Sequence, residues 1–239
     1  MNPVEIRSTL RAELALWRAT AELATILPRG SWTLVGAQMV FLLAYEHGLP
    51  IGRTSGDVDV MIDVRALTGA TQMASTTLER LGYELDPPSP DGLAHRFRRA
   101  DAVVDVLAPD GVGPRASLLT IPPGRTIAVA GGSQALERSR QVPVLLEGRE
   151  VELPCPSLLG AILIKARAVD VAHDPDKHRR DFALLLAAVN DPRSLHGGLG
   201  NTERGWLRRR RELLDPGHPA WRTTPNAEDA RIALEILIG

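Results

Sequence analysis

The sequence lacks several features that would place it in a common class of protein. Cys155 is the only cysteine among 239 residues, which excludes an internal disulfide framework. No stretch approaches the roughly 20 uninterrupted apolar residues that span a bilayer. Residues 1–7 also show no basic stretch leading into an apolar run, as a signal peptide would. We therefore expect a folded protein in the cytoplasm, with no membrane contact.

Familiar ligand-binding motifs are missing as well. The six histidines show no His-x-x-x-His or Cys-His spacing, so no zinc site is expected. There is neither a Gly-x-x-x-x-Gly-Lys-Ser/Thr phosphate loop nor a dinucleotide fingerprint. A net charge of −1 gives no overall argument for nucleic acid as a partner. Any nucleotide chemistry must therefore rest on a different arrangement of residues.

What is present is an ordinary globular composition, with 44% hydrophobic and 24% charged residues. Strand-like segments, including residues 33–36, 58–64 and 102–107, are interspersed with helix-like ones up to residue 153. After Pro154 and Pro156 only helix-like segments follow. We predict an α+β fold, with a mixed β-sheet core and flanking helices in residues 1–154 and a C-terminal helical lobe in residues 155–239.

Several local predictions accompany this division. Apolar periodicity predicts one helix over residues 4–26. Hairpin turns are predicted at Ala100-Asp101 and at Glu147-Gly148. Residues 109–125 are rich in glycine and proline and are predicted to wrap the surface as a loop. Cys155, between two prolines, is interpreted as a small packed side chain.

Two acids stand close together in the Ser-Gly-Asp-Val-Asp motif of residues 55–59. Successive strand residues face opposite sides, so Asp57 and Asp59 direct their carboxylates to the same side. Like charges held this close repel each other unless a divalent cation or a shared proton lies between them. Mg²⁺ prefers hard oxygen ligands and is the expected cofactor.

A third acid and a glycine turn extend this arrangement. Asp105 lies in an apolar strand and would complete a two-metal clamp if that strand adjoins the first one. Gly36-Ala37 separates a short strand from a helix, so free backbone N–H groups are available there for a phosphate. Arg53 and Ser55 flank the first acid and could contact phosphate oxygens. Together these residues predict phosphoryl or nucleotidyl transfer, with Asp105 helping to deprotonate the attacking hydroxyl.

Two residues of the helical lobe are further candidates. Lys165 lies on the flank of an apolar helix stripe, and its ammonium is expected to emerge at a cleft edge and meet triphosphate oxygens. The alternative is a lysine that only extends its ammonium into solvent. Asp181, beside an apolar stripe on the next helix, should face the joint between the lobes, and Lys177 lies four residues away, close enough to pair with it.

A basic cluster near the C-terminus could bind RNA. It puts five arginines around one aromatic residue, which could neutralise phosphates and stack a base. The alternative is a solvated helix face that balances neighbouring acids such as Glu203, Glu212 and Asp215. The candidate residues are Arg204, Trp206, Arg208, Arg209, Arg210 and Arg211.

The glycine turn and the Asp-x-Asp pair are followed along the chain by a single Asp, the helical Lys165 and Asp181. This ordered set resembles the polymerase-beta-type nucleotidyltransferase superfamily. Within it, the chain is similar to the AbiEii-type toxin branch, which includes the mycobacterial MenT-like toxins. The resemblance covers residues 32–189. It implies transfer of a nucleoside monophosphate from a nucleoside triphosphate to an RNA end, in particular the 3′ end of tRNA, and a cognate antitoxin.

The resemblance also assigns roles to individual residues. It gives Asp181 a motif role beside Lys165, and Ser55 matches a serine that a partner kinase phosphorylates in some toxins of the family. The chain departs from many members at Ala37, where they carry serine or glycine, so only backbone donors remain there. Two alternatives therefore stay open: a nucleotidyltransferase acting on an antibiotic or a protein, and a degenerate module that binds a nucleotide or a partner without catalysis.

Overall fold

The computed structural model describes residues 2–113 and 116–239. The strands are β1 Val4–Glu5, β2 Trp32–Val35, β3 Val58–Ile62, β4 Glu84–Leu85, β5 Arg96–Arg99, β6 Ala102–Pro109, β7 Ala128–Val129, β8 Ser139–Leu146 and β9 Arg149–Pro156. The helices are α1 Arg11–Ile26, α2 Gly36–Glu46, α3 Ala70–Arg80, α4 Gly132–Glu137, α5 Leu158–Val171, α6 Pro175–Ala187, α7 Pro192–Gly197, α8 Asn201–Arg208 and α9 Ala227–Ile238, with 3-10 turns at Arg211–Leu214 and Pro219–Thr223.

The strands form two sheets. The larger has the order β2-β3-β6-β5-β4, and β7 pairs with β6 as a sixth strand. It is a mixed sheet, because β3 and β7 run parallel to β6 whereas β2 pairs with β3, and β5 with β6, in antiparallel fashion. The smaller sheet has the order β1-β8-β9. The predicted α+β class is confirmed.

The register of the large sheet decides where the acids lie. β3 is buried except at Asp59, so its other side chains anchor the strand in the core. Asp59 is the cross-strand partner of Val35 on one side and of Asp105 on the other. One end of the sheet therefore brings together the end of β2, the start of α2 and two of the three predicted acids.

Helices make up the chain beyond Ser157. The Ser157 hydroxyl accepts a hydrogen bond from the Gly160 N–H, which caps α5, and Asp174 caps α6 with Pro175 in its first turn. α5 packs against α6, and α6 packs against α2 and α9. β9 continues to Pro156. The division at residues 154 and 155 stays a prediction.

The N-terminal prediction was wrong in its first part. Residues 4–26 do not form one helix: Val4 and Glu5 pair in parallel with Val144 and Leu145, and α1 begins only at Arg11. A two-residue strand is determined by its distant partner, so local periodicity could not reveal it. Both hairpins were predicted correctly, because β5 pairs with β6 and β8 with β9 across the two turns.

Three other predictions can be compared with the structure. In the loop predicted at 109–125, residue 109 still belongs to β6, and Pro114 and Arg115 lie outside the described residues. Cys155 is buried, and burial raises the pKa of its thiol above the ordinary value, as expected of a packed side chain. In residues 2–113 and 116–239, no helix has both the length and the apolar character that a membrane crossing requires.

Candidate active site

Three carboxylates share one face of the large sheet. Asp59 in β3 and Asp105 in β6 are paired in a parallel ladder, and cross-strand partners point to the same side of a sheet. Asp57 precedes Asp59 by two residues and projects toward the same side. The side chain of Asp57 is 25% exposed and that of Asp105 is 7% exposed. The structure thus brings the predicted acids together at the end of the sheet.

Gly36 lies directly against one of these acids. Its φ is +67°, and a Cβ added there would lie 1.8 Å from the Oδ2 of Asp59. α2 begins at this residue, and its N-cap residue, Val35, makes no side-chain hydrogen bond to the first turn. The adjacent Ala37 is buried and contributes only backbone groups. Free N–H groups at a helix N-terminus therefore stand beside the carboxylates, as an anion-binding site requires.

Replacing Gly36 with alanine should therefore disturb Asp59 itself. We expect a loss of about 3 kcal/mol in the free energy of unfolding, because the overlap adds to the roughly 1–2 kcal/mol of left-handed backbone strain. Gly48 provides a matched control, since it follows α2 with a φ of +66° and has open space around its missing Cβ. Chemical denaturation should show that Gly48→Ala lowers the free energy of unfolding only by the roughly 1–2 kcal/mol of left-handed backbone strain. Equal losses in the two variants would contradict the predicted contact.

An arginine that the sequence analysis missed holds two of the acids. Arg96 Nε donates to Asp105 Oδ1 at 2.8 Å, and Arg96 Nη2 donates to Asp105 Oδ2 at 2.6 Å. The same Nη2 donates to Asp57 Oδ2 at 3.0 Å. Arg96 is the antiparallel partner of Asp105 in β5. The predicted hairpin at Ala100-Asp101 already pairs residue 96 with residue 105, so its register was the available signal.

Arg96 supplies the positive charge between Asp57 and Asp105, whereas Asp59 forms no ion pair in the part of the chain that the structure describes. Within residues 2–113 and 116–239, no group of three or more His, Cys, Asp or Glu side chains is arranged to hold a metal ion. Burial, followed by the charges of Asp57 and Asp105, raises the pKa of Asp59 to about 7. The three carboxylates offer only oxygen ligands, and Arg96 does not neutralise the charge of Asp59. These ligands suit a hard divalent cation, provided that Arg96 withdraws from Asp57.

Lys165, Asp181 and Arg53 form an ionic triad, in which Lys165 and Asp181 are buried and Arg53 is partly exposed. Lys165 Nζ lies 2.9 Å from Asp181 Oδ2, and Arg53 Nη2 lies 2.6 Å from Asp181 Oδ1 and 2.9 Å from Oδ2. Lys165 is 4% exposed. The expectation that its ammonium emerges at a cleft edge was wrong, because Asp181 holds it in the interior. The ion pair predicted between Lys177 and Asp181 is replaced by these two partners.

The charges of the triad stabilise one another. Burial works to raise the pKa of Asp181, but the positive charges of Lys165 and Arg53 outweigh it, so that this pKa is lowered from its ordinary value. Arg53 also lies over the Phe41 ring, at 5.1 Å from its centroid. Two of the three side chains that were expected to meet phosphate oxygens, Lys165 and Arg53, are therefore engaged with Asp181 in this structure.

The triad ties the acid-bearing loop to the helical part of the chain. Arg53 precedes Asp57 by four residues, and its partner Asp181 belongs to α6. Ser55 Oγ donates to the backbone carbonyl of Asp57 at 2.9 Å, which fixes the turn between them. Asp181 thus connects Lys165 of α5 with the loop from which Asp57 projects, because it binds both Lys165 and Arg53.

Part of the basic cluster is engaged inside the protein. Arg210 is buried, and its Nη2 lies 2.5 Å from Asp170 Oδ1. Arg209 Nη1 lies 3.2 Å from Asp170 Oδ2, and its side chain is 54% exposed. The guanidinium of Arg210 therefore neutralises the carboxylate of Asp170, whereas Arg209 remains accessible to a phosphate.

The other members of the cluster differ in their surroundings. Arg208 Nε donates to the carbonyl of Ile238 at 2.9 Å, and Arg204 Nη1 donates to Asn201 Oδ1 at 3.3 Å. Trp206 is partly buried under the guanidinium of Arg167, which lies 5.0 Å from its ring centroid. Arg211 is exposed. RNA binding by these residues stays a prediction, for which Arg209 and Arg211 are best placed.

A cavity of about 640 Å³ lies elsewhere, between α1 and the β8–β9 hairpin. Its walls include Arg18, Glu22, Glu147 and Arg149. Arg18 and Glu147 already pair with each other at 2.5 Å. None of the predicted site residues lines this cavity.

Comparisons with known proteins add little to this description. No family model matches the chain, and no curated protein does. Among solved structures, it is similar to an antigenic nucleotidyltransferase-like protein from Paracoccidioides brasiliensis, with 16% sequence identity and a TM-score of 0.44. The match covers 90% of this chain and 94% of that one.

Proposed function

We propose that the protein transfers a nucleoside monophosphate from a nucleoside triphosphate to an acceptor hydroxyl. The observation that carries this proposal is the pairing of Asp59 with Asp105 in adjacent strands, against the uncapped start of α2 at Gly36. Carboxylates can hold a divalent cation, and free helix N–H groups can hold a phosphate. A triphosphate that carries a divalent cation satisfies both requirements at once.

The chain's own residues would perform the following steps. The N–H groups of the first turn of α2 bind triphosphate oxygens. The missing side chain at Gly36 leaves room for the Asp59 carboxylate beside them. Arg96 withdraws from Asp57, which leaves Asp57 and Asp59 free to hold Mg²⁺. When bound, Mg²⁺ would supply positive charge at the triphosphate oxygens.

Asp105 is the proposed general base. Once free of Arg96, it accepts the proton of the attacking hydroxyl, whose oxygen forms a bond to the α-phosphorus. The bond from that phosphorus to the bridging oxygen of the β-phosphate breaks in line, and pyrophosphate leaves with the electron pair. The products are the nucleotidylated acceptor and pyrophosphate.

We further propose that the acceptor is an RNA end, in particular the 3′ end of tRNA. The exposed side chains of Arg209 and Arg211 support an RNA acceptor, because accessible arginines neutralise phosphates. In this proposal the protein is a cytoplasmic toxin that blocks translation and has a cognate antitoxin. These roles are inferred from the sequence motifs and are open to direct test.

The test is to incubate the protein with each α-labelled nucleoside triphosphate, Mg²⁺ and total RNA. The label should appear on RNA of tRNA size and disappear when Mg²⁺ is chelated. Parallel reactions should contain aminoglycoside antibiotics or a protein extract in place of RNA. Label on a small molecule or a protein, and none on RNA, would show that the acceptor is not RNA. Absence of transfer to any acceptor would contradict the enzymatic proposal.

Removing the two accessible arginines should weaken RNA labelling specifically. We expect the double variant Arg209→Ala, Arg211→Ala to lose about 10-fold in RNA affinity at moderate salt, since each phosphate contact contributes to a salt-dependent term. The matched control removes two other exposed arginines, Arg7 and Arg29, whose side chains are 76% and 75% exposed. Titration of labelled tRNA against each variant checks this. Equal affinities in the two double variants would exclude the proposed contact.

A second candidate function is triphosphate binding without catalysis. The bridge from Arg96 to both Asp57 and Asp105 favours it, because a permanent guanidinium would replace a cation there. Calorimetry separates the candidates when combined with a pyrophosphate-release assay. Tight triphosphate binding without any pyrophosphate release, with every acceptor tried, would support the non-catalytic module.

A further inference from the structure

The two lysines of the chain both lie near the candidate active site. The chain has 28 lysine and arginine residues, of which only Lys165 and Lys177 are lysines. Lys165 is buried in its ion pair with Asp181. Lys177 is partly exposed, and within the described ranges 2–113 and 116–239 its ammonium forms no ion pair. Only the second lysine therefore has a charge available to a ligand.

The position of Lys177 on α6 directs it toward the carboxylates. It precedes Asp181 by four residues, and residues at this spacing share one helix face. Asp181 binds Arg53, which belongs to the loop that leads to Asp57. α6 also packs against α2, whose first residue, Gly36, lies against Asp59. The face of α6 that carries Lys177 is thus the face turned toward the acid-bearing end of the sheet.

The electrostatics of the site support this placement. Burial is the largest cause of the raised pKa of Asp59, followed by its two neighbouring acids, and the positive charges of Lys165 and Lys177 oppose that rise. Lys177 also lies in the N-terminal turn of α6, where the helix dipole disfavours a cation and favours acids such as Asp176. An anionic ligand beside this ammonium would explain why a lysine occupies a position that the helix dipole disfavours.

We infer that Lys177 binds the triphosphate of the substrate and takes the role that the sequence pattern predicted for Lys165. This inference rests on the proposed function. The triphosphate would lie between the first turn of α2 and Lys177, with the acids beside it. A lysine suits this contact, because its ammonium is a compact charge on a flexible stem that meets phosphate oxygens without a fixed geometry.

Chemical labelling tests the inference without relying on catalysis. Reductive methylation of the native protein should modify Lys177 and the N-terminal amine, while buried Lys165 stays unmodified. Peptide mass spectrometry then reads the three amines separately. A nucleoside triphosphate with Mg²⁺, at a concentration that calorimetry shows to be saturating, should abolish labelling of Lys177. The N-terminal amine is the internal control and should react at an unchanged rate.

Unchanged labelling of Lys177 with bound triphosphate would overturn the inference and leave the proposed function intact. Absence of triphosphate binding in calorimetry would overturn both. The two failures are therefore distinguishable. Modification of Lys165 at the rate of Lys177 would also count against the inference, since it would show that the ion pair with Asp181 leaves Lys165 available.

Kinetics of substitutions provide a second, independent test. We expect Lys177→Met to raise KM for the triphosphate about 10-fold, as for the loss of one charge-assisted hydrogen bond, with a smaller effect on kcat. Lys177→Arg should restore most of the affinity. Arg180→Met is the matched control, because it removes one exposed positive charge from the same helix. An unchanged KM in Lys177→Met, or an equal rise in Arg180→Met, would overturn the inference.

Discussion

Replacing Asp59 with asparagine should stabilise the metal-free protein at alkaline pH and strongly reduce nucleotidyl transfer. Burial and the neighbouring acids raise the pKa of Asp59 from 3.8 to about 7. Between these values the folded protein binds more protons than the unfolded chain, so its stability falls as the pH rises and remains lower above 7. Asparagine does not ionise, and the variant should escape a destabilisation on the order of a few kcal/mol.

Two measurements check this prediction. Denaturant unfolding with a chelator at about pH 5 and about pH 8 should show the decline in wild type but not in Asp59→Asn. Transfer of α-labelled nucleotide should fall about 10³-fold, because one of the two carboxylates proposed to hold Mg²⁺ is lost. Asp63→Asn is the control, since Asp63 accepts the backbone N–H of Arg65 just after β3. Retained transfer in Asp59→Asn would contradict the assigned role of this acid.

Replacing Asp181 with alanine should cause the largest loss of stability. Asp181 is buried between Lys165 and Arg53, and its removal leaves the buried ammonium of Lys165 without a partner. Breaking a buried ion pair from one side costs about 3–5 kcal/mol, which is a large part of the roughly 5–15 kcal/mol that stabilises a domain. The loop before Asp57 also loses its attachment to α6, so transfer activity should fall together with stability.

Denaturant unfolding of matched variants measures this loss. Asp176→Ala on the same helix is the control, because its side chain is 70% exposed and pairs with Arg179 at the surface, and such pairs contribute at most about 1 kcal/mol. The double variant Lys165→Met, Asp181→Leu removes both buried charges and should recover most of the stability. Its transfer activity should stay low, since Arg53 has lost its partner. Equal losses in Asp181→Ala and Asp176→Ala would contradict the buried ion pair of Lys165 and Asp181.

The sequence predicts that Asp57, Asp59 and Asp105 lie together, but it does not directly predict that Arg96 neutralises Asp57 and Asp105. Strand alternation puts Asp57 and Asp59 on one side, and two apolar runs predict the strands of Asp59 and Asp105. Their parallel pairing depends on a crossover between distant segments, which no local pattern reveals. Arg96 could have been found by counting from the predicted hairpin, because an antiparallel register follows from its turn.

The environment of Lys165 could not be predicted from its helix alone. Periodicity places it on the flank of an apolar stripe, where a long side chain can extend to solvent or turn inward. The turn inward depends on Asp181 from the next helix and on Arg53 from a loop that is distant in the chain. Such a triad is a tertiary feature, so its existence depends on how α5 and α6 pack.

The basic cluster shows a related difficulty. The four consecutive arginines at residues 208–211 do not share one helix, because α8 ends at Arg208 and a 3-10 turn begins at Arg211. The chain turns between these elements, and the side chain of Arg210 is buried there while that of Arg209 is exposed. Which arginine turned inward was decided by Asp170, on α5. The sequence gives the number of arginines in the cluster, but it does not reveal which of them is buried and which are exposed.

The central claim is that the carboxylates at the end of β3 and β6 accept a divalent cation together with a nucleotide. Its most direct test is a crystal of the wild-type protein soaked with Mn²⁺ and a non-hydrolysable nucleoside triphosphate, with data collected for manganese anomalous scattering. We predict an anomalous peak coordinated by Asp57 and Asp59, with the Arg96 guanidinium turned away from Asp57. A map without a peak at this face, in which Arg96 still bridges Asp57 and Asp105, would contradict the claim.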